Sequence, residues 1–163
     1  MKKIGLLSDT HGYIHPRVFV FFKDCDEIWH AGDIGSTDVS DRLSKFKPFR
    51  GVYGNIDGQQ IRLQYPEFLQ FVCEEAVVLI THIGGYPGRY LHTIKQKIET
   101  LQPDLFIAGH SHILKVIPDK KNNLLFLNPG AAGNAGFHQK ITFIRFSITA
   151  KQIHDLEIME IDR

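Results

Sequence analysis

Seven side chains able to bind a metal ion follow the ends of five apolar segments in this sequence. "IGLLSDTH" ends in an aspartate and a histidine, "EIWHAGD" in an aspartate and "FRGVYGN" in an asparagine. "VVLITH" and "LFIAGHSH" end in histidines. Any one of these residues alone is an ordinary turn or surface residue, but the recurrence indicates a common site. The seven candidates are Asp9, His11, Asp33, Asn55, His82, His110 and His112.

The apolar segments must form neighbouring strands if these residues are to meet. The front of the chain alternates predicted strands and helices, and strands joined by helical crossovers present their carboxyl ends at one sheet edge, where ligands bind. Helices are predicted at 16–22, 36–46 and 90–102, the last from its apolar periodicity. Turns are predicted at 57–58 and 74–75 with strands between and after them, and a meander of strands from 112 onward. The pattern predicts a layered α/β or α+β fold with sheet at its centre.

The mixture of ligand types indicates two metal ions. Imidazole binds Zn, Fe, Ni and Co, whereas carboxylate and amide oxygens suit Mn and Mg. Seven ligands are too many for one tetrahedral ion, but they fit two neighbouring ions that share a carboxylate. Such pairs stabilise the attacking and leaving oxygens of a displacement. Because Asp9 and Asp33 offset only part of the charge of two dications, the pocket should attract an anion such as a phosphate ester.

Composition restricts the other possibilities. The length of 163 residues predicts a single domain spanning 1–163. A net charge of +1 gives no general affinity for nucleic acid, and no apolar stretch approaches the ~20 residues needed to cross a membrane. Asp9 interrupts the N-terminal apolar run too early for a signal peptide. Only two cysteines, Cys25 and Cys73, are present, which favours a cytoplasmic location.

The order of the motifs resembles that of the calcineurin-like metallophosphoesterase superfamily over nearly the whole chain. The motifs are Asp-x-His, Gly-Asp, Gly-Asn-x-Asp, His and Gly-His-x-His, and the short length with "NPG" at 128–130 is similar to the small bacterial and archaeal phosphodiesterase branch. The resemblance implies two stacked mixed β-sheets flanked by helices. It implies one metal held by Asp9, His11, Asp33 and His112. It implies a second held by Asp33, Asn55, His82 and His110, with Asp33 bridging.

The resemblance also implies a reaction. A metal-bridging hydroxide would attack the phosphorus of a small phosphodiester, while Asn55 and His82 help to stabilise the developing charge. Many members of the superfamily carry a histidine after the asparagine of Gly-Asn-x-Asp, and that histidine protonates the leaving oxygen. This chain has Ile56 instead. We therefore expect better activity on diesters with good leaving groups than on alkyl monoesters. Mn²⁺ is the expected metal, ahead of Fe, Ni, Co and Zn.

Other residues near the motifs are assigned supporting roles or none. Arg89 and Tyr86, in the glycine-rich "GGYPGRY" after His82, are predicted to contact substrate, the alternative being a solvated loop. Hydrogen bonds to the ligands are predicted for His30, Asp57 and Asn128, although His30 could simply pack and Asp57 could simply begin a turn. Ordinary surface or helix positions are predicted for His15, His92, His138 and His154.

Two alternatives to the phosphodiesterase remain open. One is a non-catalytic interaction scaffold, as in the retromer subunit that resembles this superfamily in fold; every ligand position is filled in this chain, which argues against a degraded site. The other is a mononuclear zinc hydrolase. The expected partner is a small phosphodiester substrate, with no membrane or nucleic acid involved, and a homodimer is a possible assembly.

Overall fold

Strands and helices alternate through most of the chain, and the computed structural model describes all residues 1–163. The helices are α1 (Arg17–Phe21), α2 (Thr37–Phe46), α3 (Gln59–Gln64) and α4 (His92–Leu101). The strands are β1 (Lys2–Leu7), β2 (Glu27–His30), β3 (Phe49–Gly51), β4 (Phe68–Cys73), β5 (Ala76–Thr81), β6 (Leu105–Ile107), β7 (Leu114–Asp119), β8 (Leu124–Pro129), β9 (Lys140–Thr149) and β10 (Gln152–Asp162). No helix is both long and apolar enough to span a membrane.

The strands form two five-stranded sheets, each with parallel and antiparallel neighbours. The first has the order β10-β9-β1-β2-β3 and the second the order β4-β5-β6-β8-β7. In the first, β1, β2 and β3 run parallel, and in the second β5, β6 and β8 do. This arrangement confirms the expected pair of mixed sheets flanked by helices. It also places the carboxyl ends of β1, β2 and β3 along one edge, and those of β5 and β6 along another.

Apolar side chains from both sheets pack against each other in one core cluster. Ile4 and Trp29 of the first sheet are fully buried there, as are Val78 and Ile107 of the second. The Trp29 ring meets the ring of Phe71 edge to face at 4.9 Å between centroids, a favourable aromatic geometry. Since the sheets are locked face to face, the loops at their carboxyl ends are held at fixed positions relative to one another.

Helices cover the outer faces of the two sheets. Val39 and Leu43 of α2 join a second cluster with residues of the first sheet. On the second sheet, α4 buries Ile94 and Ile98 against Phe106. These two α4 residues are four positions apart, so they lie on one side of the helix, as its apolar period predicted.

Two predictions about the elements were wrong in part. The stretch after residues 57–58 begins with the helix α3, where a strand was predicted; α3 is six residues long and buries only Ile61, so it leaves no clear periodic signal. The strands after residue 112 do not form one meander. They form two hairpins in different sheets, β7 with β8 and β9 with β10, because the chain crosses between the sheets after β8.

Candidate metal centre

The predicted ligands lie where the carboxyl edges of the two sheets face each other. Asp9 and Asp33 follow β1 and β2 of the first sheet, whereas His82 and His112 follow β5 and β6 of the second. The Nε2 atom of His82 is 3.1 Å from Oδ2 of Asp33, and Nε2 of His112 is 3.1 Å from Oδ1 of Asp9. The site therefore spans two sheets, which corrects the expectation of a single sheet edge.

Each aspartate directs only one of its oxygens into the centre. Oδ2 of Asp9 accepts hydrogen bonds from the Ser8 hydroxyl at 2.6 Å and from the His110 amide at 3.1 Å. Oδ1 of Asp33 accepts one from the amide of Ile56 at 3.0 Å. The remaining oxygens, Oδ1 of Asp9 and Oδ2 of Asp33, face the histidines. These hydrogen bonds fix both carboxylates in the orientation that a metal ligand needs.

Six of the seven predicted ligands form two groups of three. In each group the ligand atoms lie within 4.8 Å of one another. Oδ2 of Asp33 is also 3.5 Å from Nε2 of His11 in the other group, so Asp33 stands between the two groups, as the bridging prediction requires. The groups are Asp9, His11 and His112, and Asp33, His82 and His110.

The donor atoms at the centre fit divalent cations. Oδ1 of Asp9 and the Nε2 atoms of His11 and His82 are buried and have no hydrogen-bond partner in the protein. Buried polar atoms are rarely left unpaired, because each costs about 1–3 kcal/mol. Three such atoms together, all imidazole nitrogen or carboxylate oxygen, are the donors that Zn, Fe, Ni, Co and Mn accept.

The charges in the centre are strongly coupled. Burial alone would raise the pKa values of Asp9 and Asp33, but the histidines facing them outweigh burial and hold both pKa values below the ordinary range. In return, Asp9 raises the pKa of His11. Asp33 raises that of His82 against the opposite effect of burial. Protons and metal ions therefore compete for the same nitrogens, and metal binding should weaken in acid.

Backbone strain is concentrated at the same residues. Five of the seven predicted ligands have φ between 48° and 70°, in the left-handed region that few non-glycine residues adopt. Strain of this kind persists where surrounding contacts over-determine it, typically at functional sites. Here the amides of Asp9 and His11 donate to the carbonyls of Gly32 and Asp33, which fixes the turns. The strained ligands are Asp9, His11, Asp33, His110 and His112.

Gly32 and Gly54 lie against the ligands because neither has a side chain. A Cβ atom on Gly32 would come within 2.7 Å of the His82 ring, and one on Gly54 would overlap the carboxylate of Asp33. Both positions therefore require glycine for steric reasons. Gly32 requires it also for its backbone conformation, because its φ is +99°.

His30 and Asp57 brace the loops that carry the ligands. Nε2 of His30 lies 2.9 Å from the Thr10 hydroxyl, which itself donates to the carbonyl of Ile34. The hydroxyl must therefore accept from Nε2–H, while Nδ1 of His30 accepts the amide of Gly32. The Asp57 carboxylate accepts three backbone amides, those of Ile34, Gly35 and Gly54. All of these partners lie within two residues of a ligand, but neither His30 nor Asp57 hydrogen-bonds to a ligand itself. Their predicted supporting roles therefore stay predictions.

The buried His30 should make stability depend on pH. Burial lowers its pKa to about 4, from an ordinary value of about 6.5. The unfolded chain therefore gains a proton between pH 6.5 and pH 4 that the folded chain does not bind. Unfolding free energy should fall across that window by an amount on the order of 3 kcal/mol. The matched variant is His30→Gln, whose side-chain amide still donates to Thr10 but does not titrate. Chemical denaturation of the metal-free proteins should show the unfolding free energy of wild type falling across this pH window more than that of the variant. Parallel pH profiles for the two proteins would contradict the prediction.

Asn128 supports the loop that contains His110. Its side-chain amide donates to the carbonyl of Gly109 at 3.0 Å and to the Ser111 hydroxyl at 3.1 Å, and its Oδ1 accepts the amide of Gly130. Asn128 ends β8, next to β6 in the sheet. The "NPG" segment thus lies beside the histidine loop, as predicted.

Asn55, the seventh predicted ligand, lines a cleft together with His82 of the second group. The cleft has a volume of about 350 Å³. Arg62 stabilises the turn that contains Asn55, a role that the sequence did not indicate. Its guanidinium donates to the carbonyls of Asp57 at 2.6 Å and Asn55 at 3.3 Å. Its guanidinium also lies 4.5 Å from the centroid of the Tyr53 ring. The role of Asn55 as a ligand stays a prediction.

Tyr86 and Arg89 occupy the turn before α4. The amide of Arg89 donates to the carbonyl of Tyr86 at 2.8 Å, and Nζ of Lys115 lies 3.7 Å from the centroid of the Tyr86 ring. Both residues are exposed. No contact ties either side chain to the ligand groups, so their predicted substrate role stays a prediction.

His138 differs from the ordinary surface residue that was predicted. Its Nδ1 lies 3.1 Å from Nδ1 of His112, and its Nε2 lies 2.7 Å from the carbonyl oxygen of Gly133. The residue follows the "NPGAAGNAG" segment, which was predicted to lie near the site. That position in the sequence was the one indication that His138 could also lie there.

The chain is similar to known families and structures over most of its length. The model of the calcineurin-like phosphoesterase superfamily domain matches residues 1–151. The chain belongs to this superfamily. A probable metallophosphoesterase of Methanothermobacter thermautotrophicus is 31% identical over 135 residues, which cover 78% of this chain and 76% of that protein. A probable metallophosphoesterase of Mycoplasma pneumoniae is 29% identical, covering 96% of both.

Solved structures of the superfamily fold include both an enzyme and Vps29. An archaeal phosphodiesterase superposes with a TM-score of 0.78 at 21% identity, covering 98% of this chain and 99% of the other. Vps29 of Chaetomium thermophilum superposes with a TM-score of 0.76 at 13% identity, covering 99% and 97%. At these identities the likeness establishes the fold, and the superfamily accounts for the order of motifs along the chain.

Proposed function

We propose that this chain is a divalent-metal-dependent phosphodiesterase. The observation that carries the proposal is the pair of three-ligand groups, in which buried oxygen and nitrogen atoms lack any hydrogen-bond partner. One cation in each group would satisfy these atoms. Because two dications exceed the charge of Asp9 and Asp33, the loaded site would attract an anionic ester.

The residues have distinct proposed roles. When bound, two divalent cations supply a Lewis-acidic site that activates water and polarises phosphoryl oxygens. Asp33, between the groups, would hold both ions, and Asn55 would complete the second group with its amide oxygen. Ile56 offers no proton for the leaving oxygen. A diester with a good leaving group, such as an aryl ester, is therefore the favoured substrate over an alkyl monoester.

The direct test combines metal analysis with a panel of esters. Purified protein should contain two divalent ions per chain and should hydrolyse an aryl phosphodiester faster than an alkyl monoester. A chelator should abolish turnover, and added Mn²⁺ should restore it best, ahead of Fe, Ni, Co and Zn. Chelator-insensitive hydrolysis would contradict the proposal, and one ion per chain would instead favour a mononuclear hydrolase.

An interaction scaffold is the second candidate, favoured by apolar residues around the centre. Ile56, Ile83 and Ile113 are 46%, 39% and 56% exposed, and each directly follows a predicted ligand. Exposed apolar groups of this kind suit contact with another protein. A chain that binds both ions yet hydrolyses no ester in the panel would favour the scaffold.

A reducing compartment such as the cytoplasm is the proposed location. Cys25 and Cys73 are both buried and free, and burial raises the pKa of each thiol. Raised pKa values keep the thiols protonated and weakly reactive, so both residues suit a role in packing.

A further inference from the structure

A chain of hydrogen bonds runs from the ring of His112 back to the main chain of Asp9. Nδ1 of His112 meets Nδ1 of His138 at 3.1 Å, and Nε2 of His138 meets the carbonyl oxygen of Gly133 at 2.7 Å. The amide of Gly133 then donates to the carbonyl of Asp9 at 3.0 Å. Nε2 of His112 faces the Asp9 carboxylate. The contacts therefore form a closed loop that links the side chain of Asp9 to its own carbonyl through His112, His138 and Gly133.

The carbonyl of Gly133 fixes where the protons lie. A carbonyl oxygen can only accept, so Nε2 of His138 carries the hydrogen. A neutral imidazole has one N–H, so Nδ1 of His138 is an acceptor and Nδ1 of His112 must donate to it. Nε2 of a neutral His112 is then left with a free lone pair, 3.1 Å from the carboxylate oxygen of Asp9. Two electron-rich atoms at that distance repel each other unless a proton or a metal ion lies between them.

The His112 ring is also enclosed on several sides. The His138 ring packs against it edge to face at 5.0 Å between centroids, and the His11 ring does so at 5.4 Å. A Cβ on Gly136 would lie 2.6 Å from the His112 ring, and Gly136 has φ +130°. The guanidinium of Arg163 holds this loop by donating to the carbonyls of Gly136 and His138. The loop is thus shaped around one orientation of His112.

We propose that His138 is a positioning residue, which holds His112 in the tautomer and orientation required to bind a cation together with Asp9 and His11. The inference rests on the proposed function, because it takes His112 as a metal ligand. Outer partners of ligating histidines typically affect metal affinity by about 10- to 100-fold. His138 contacts only the first group, so the second group of Asp33, His82 and His110 should keep its affinity.

The test measures proton positions and metal binding separately. Nitrogen-15 NMR of the metal-free protein should show His112 protonated at Nδ1, and His138→Leu should shift it toward the Nε2–H form. Calorimetric titration with Mn²⁺ should show one of two sites weakened about 10- to 100-fold in His138→Leu. His138→Asn should recover most of that loss, because its amide oxygen can accept from His112 where Nδ1 did.

His154→Leu is the matched control. His154 lies on β10 beside Ser147 of β9 and contacts Thr149, at the end of the first sheet away from the metal centre, so both affinities should remain unchanged. A His112 found protonated at Nε2 and not at Nδ1 in wild type would overturn the inference, as would unchanged metal binding in His138→Leu. If wild type binds no metal, the proposed function fails, whereas the NMR result still decides whether His138 sets the tautomer. If His138→Leu fails to fold, wild-type NMR and His138→Asn still decide.

Discussion

Replacing Asp33 with asparagine is expected to remove nearly all metal-dependent activity. Oδ2 of Asp33 is 3.1 Å from Nε2 of His82 in one ligand group and 3.5 Å from Nε2 of His11 in the other. The other carboxylate at the centre, Asp9, lies farther from the opposite group, with its Oδ1 3.8 Å from Nε2 of His82. Neutralising Asp33 weakens both sites at once. A loss of about 4 kcal/mol in transition-state stabilisation corresponds to about a 1,000-fold fall in kcat/KM.

Asparagine matches aspartate in shape, so the Asp33→Asn protein should stay folded. Ile56 and Gly54 would still pack around the side chain, and circular dichroism should be unchanged. Bound metal, measured by elemental analysis after dialysis, should fall from two ions per chain to less than one. Asp41→Asn, an exposed position on α2, is the matched control and should retain both ions. Full activity in Asp33→Asn would exclude a centre built around this residue.

The positions of the candidate ligands could be located from sequence because they depend on local patterns. An apolar strand that ends in glycine and a polar residue marks a turn at a sheet edge, and this signal survives without knowledge of strand pairing. Asp33, Asn55 and His110 were located in this way. The pattern does not show which strands are neighbours. The ligands come from the edges of two different sheets, and these sheets are held together by packing such as that of Trp29 against Phe71.

The role of His138 illustrates what local patterns miss. The residue lies in the connection from β8 to β9, which passes from the second sheet to the first. Only that crossing brings it against His112, 26 positions earlier. The strands after residue 112 were predicted as one meander for the same reason. Their sequences indicate strands but do not indicate which neighbour each strand pairs with.

Introducing a histidine at position 56 is expected to extend the range of substrates. Ile56 follows Asn55, and its side chain is 46% exposed. Its amide is held by Asp33 at 3.0 Å, a contact that does not depend on the side chain. A histidine there would keep the turn and place an imidazole of ordinary pKa, about 6.5, beside the centre, where the superfamily motif commonly has one.

General acid catalysis typically raises a reaction rate by about 10²- to 10⁴-fold. A newly placed histidine should supply part of this rate increase. We expect Ile56→His to raise kcat for an alkyl phosphodiester by about 10- to 100-fold, most strongly below pH 6.5, where the ring is protonated. Turnover of an aryl diester should change little, because a good leaving group departs without a proton.

Ile56→Gln is the matched control, since it is polar and similar in reach but cannot donate a proton of suitable pKa. It should leave the ratio of alkyl to aryl turnover at the wild-type value. Equal acceleration of both esters by histidine would point to altered binding instead of proton transfer. No change with either ester would mean that position 56 lies out of reach of the leaving oxygen. The selectivity of this chain would then have to come from the walls of the cleft beside Asn55 and His82.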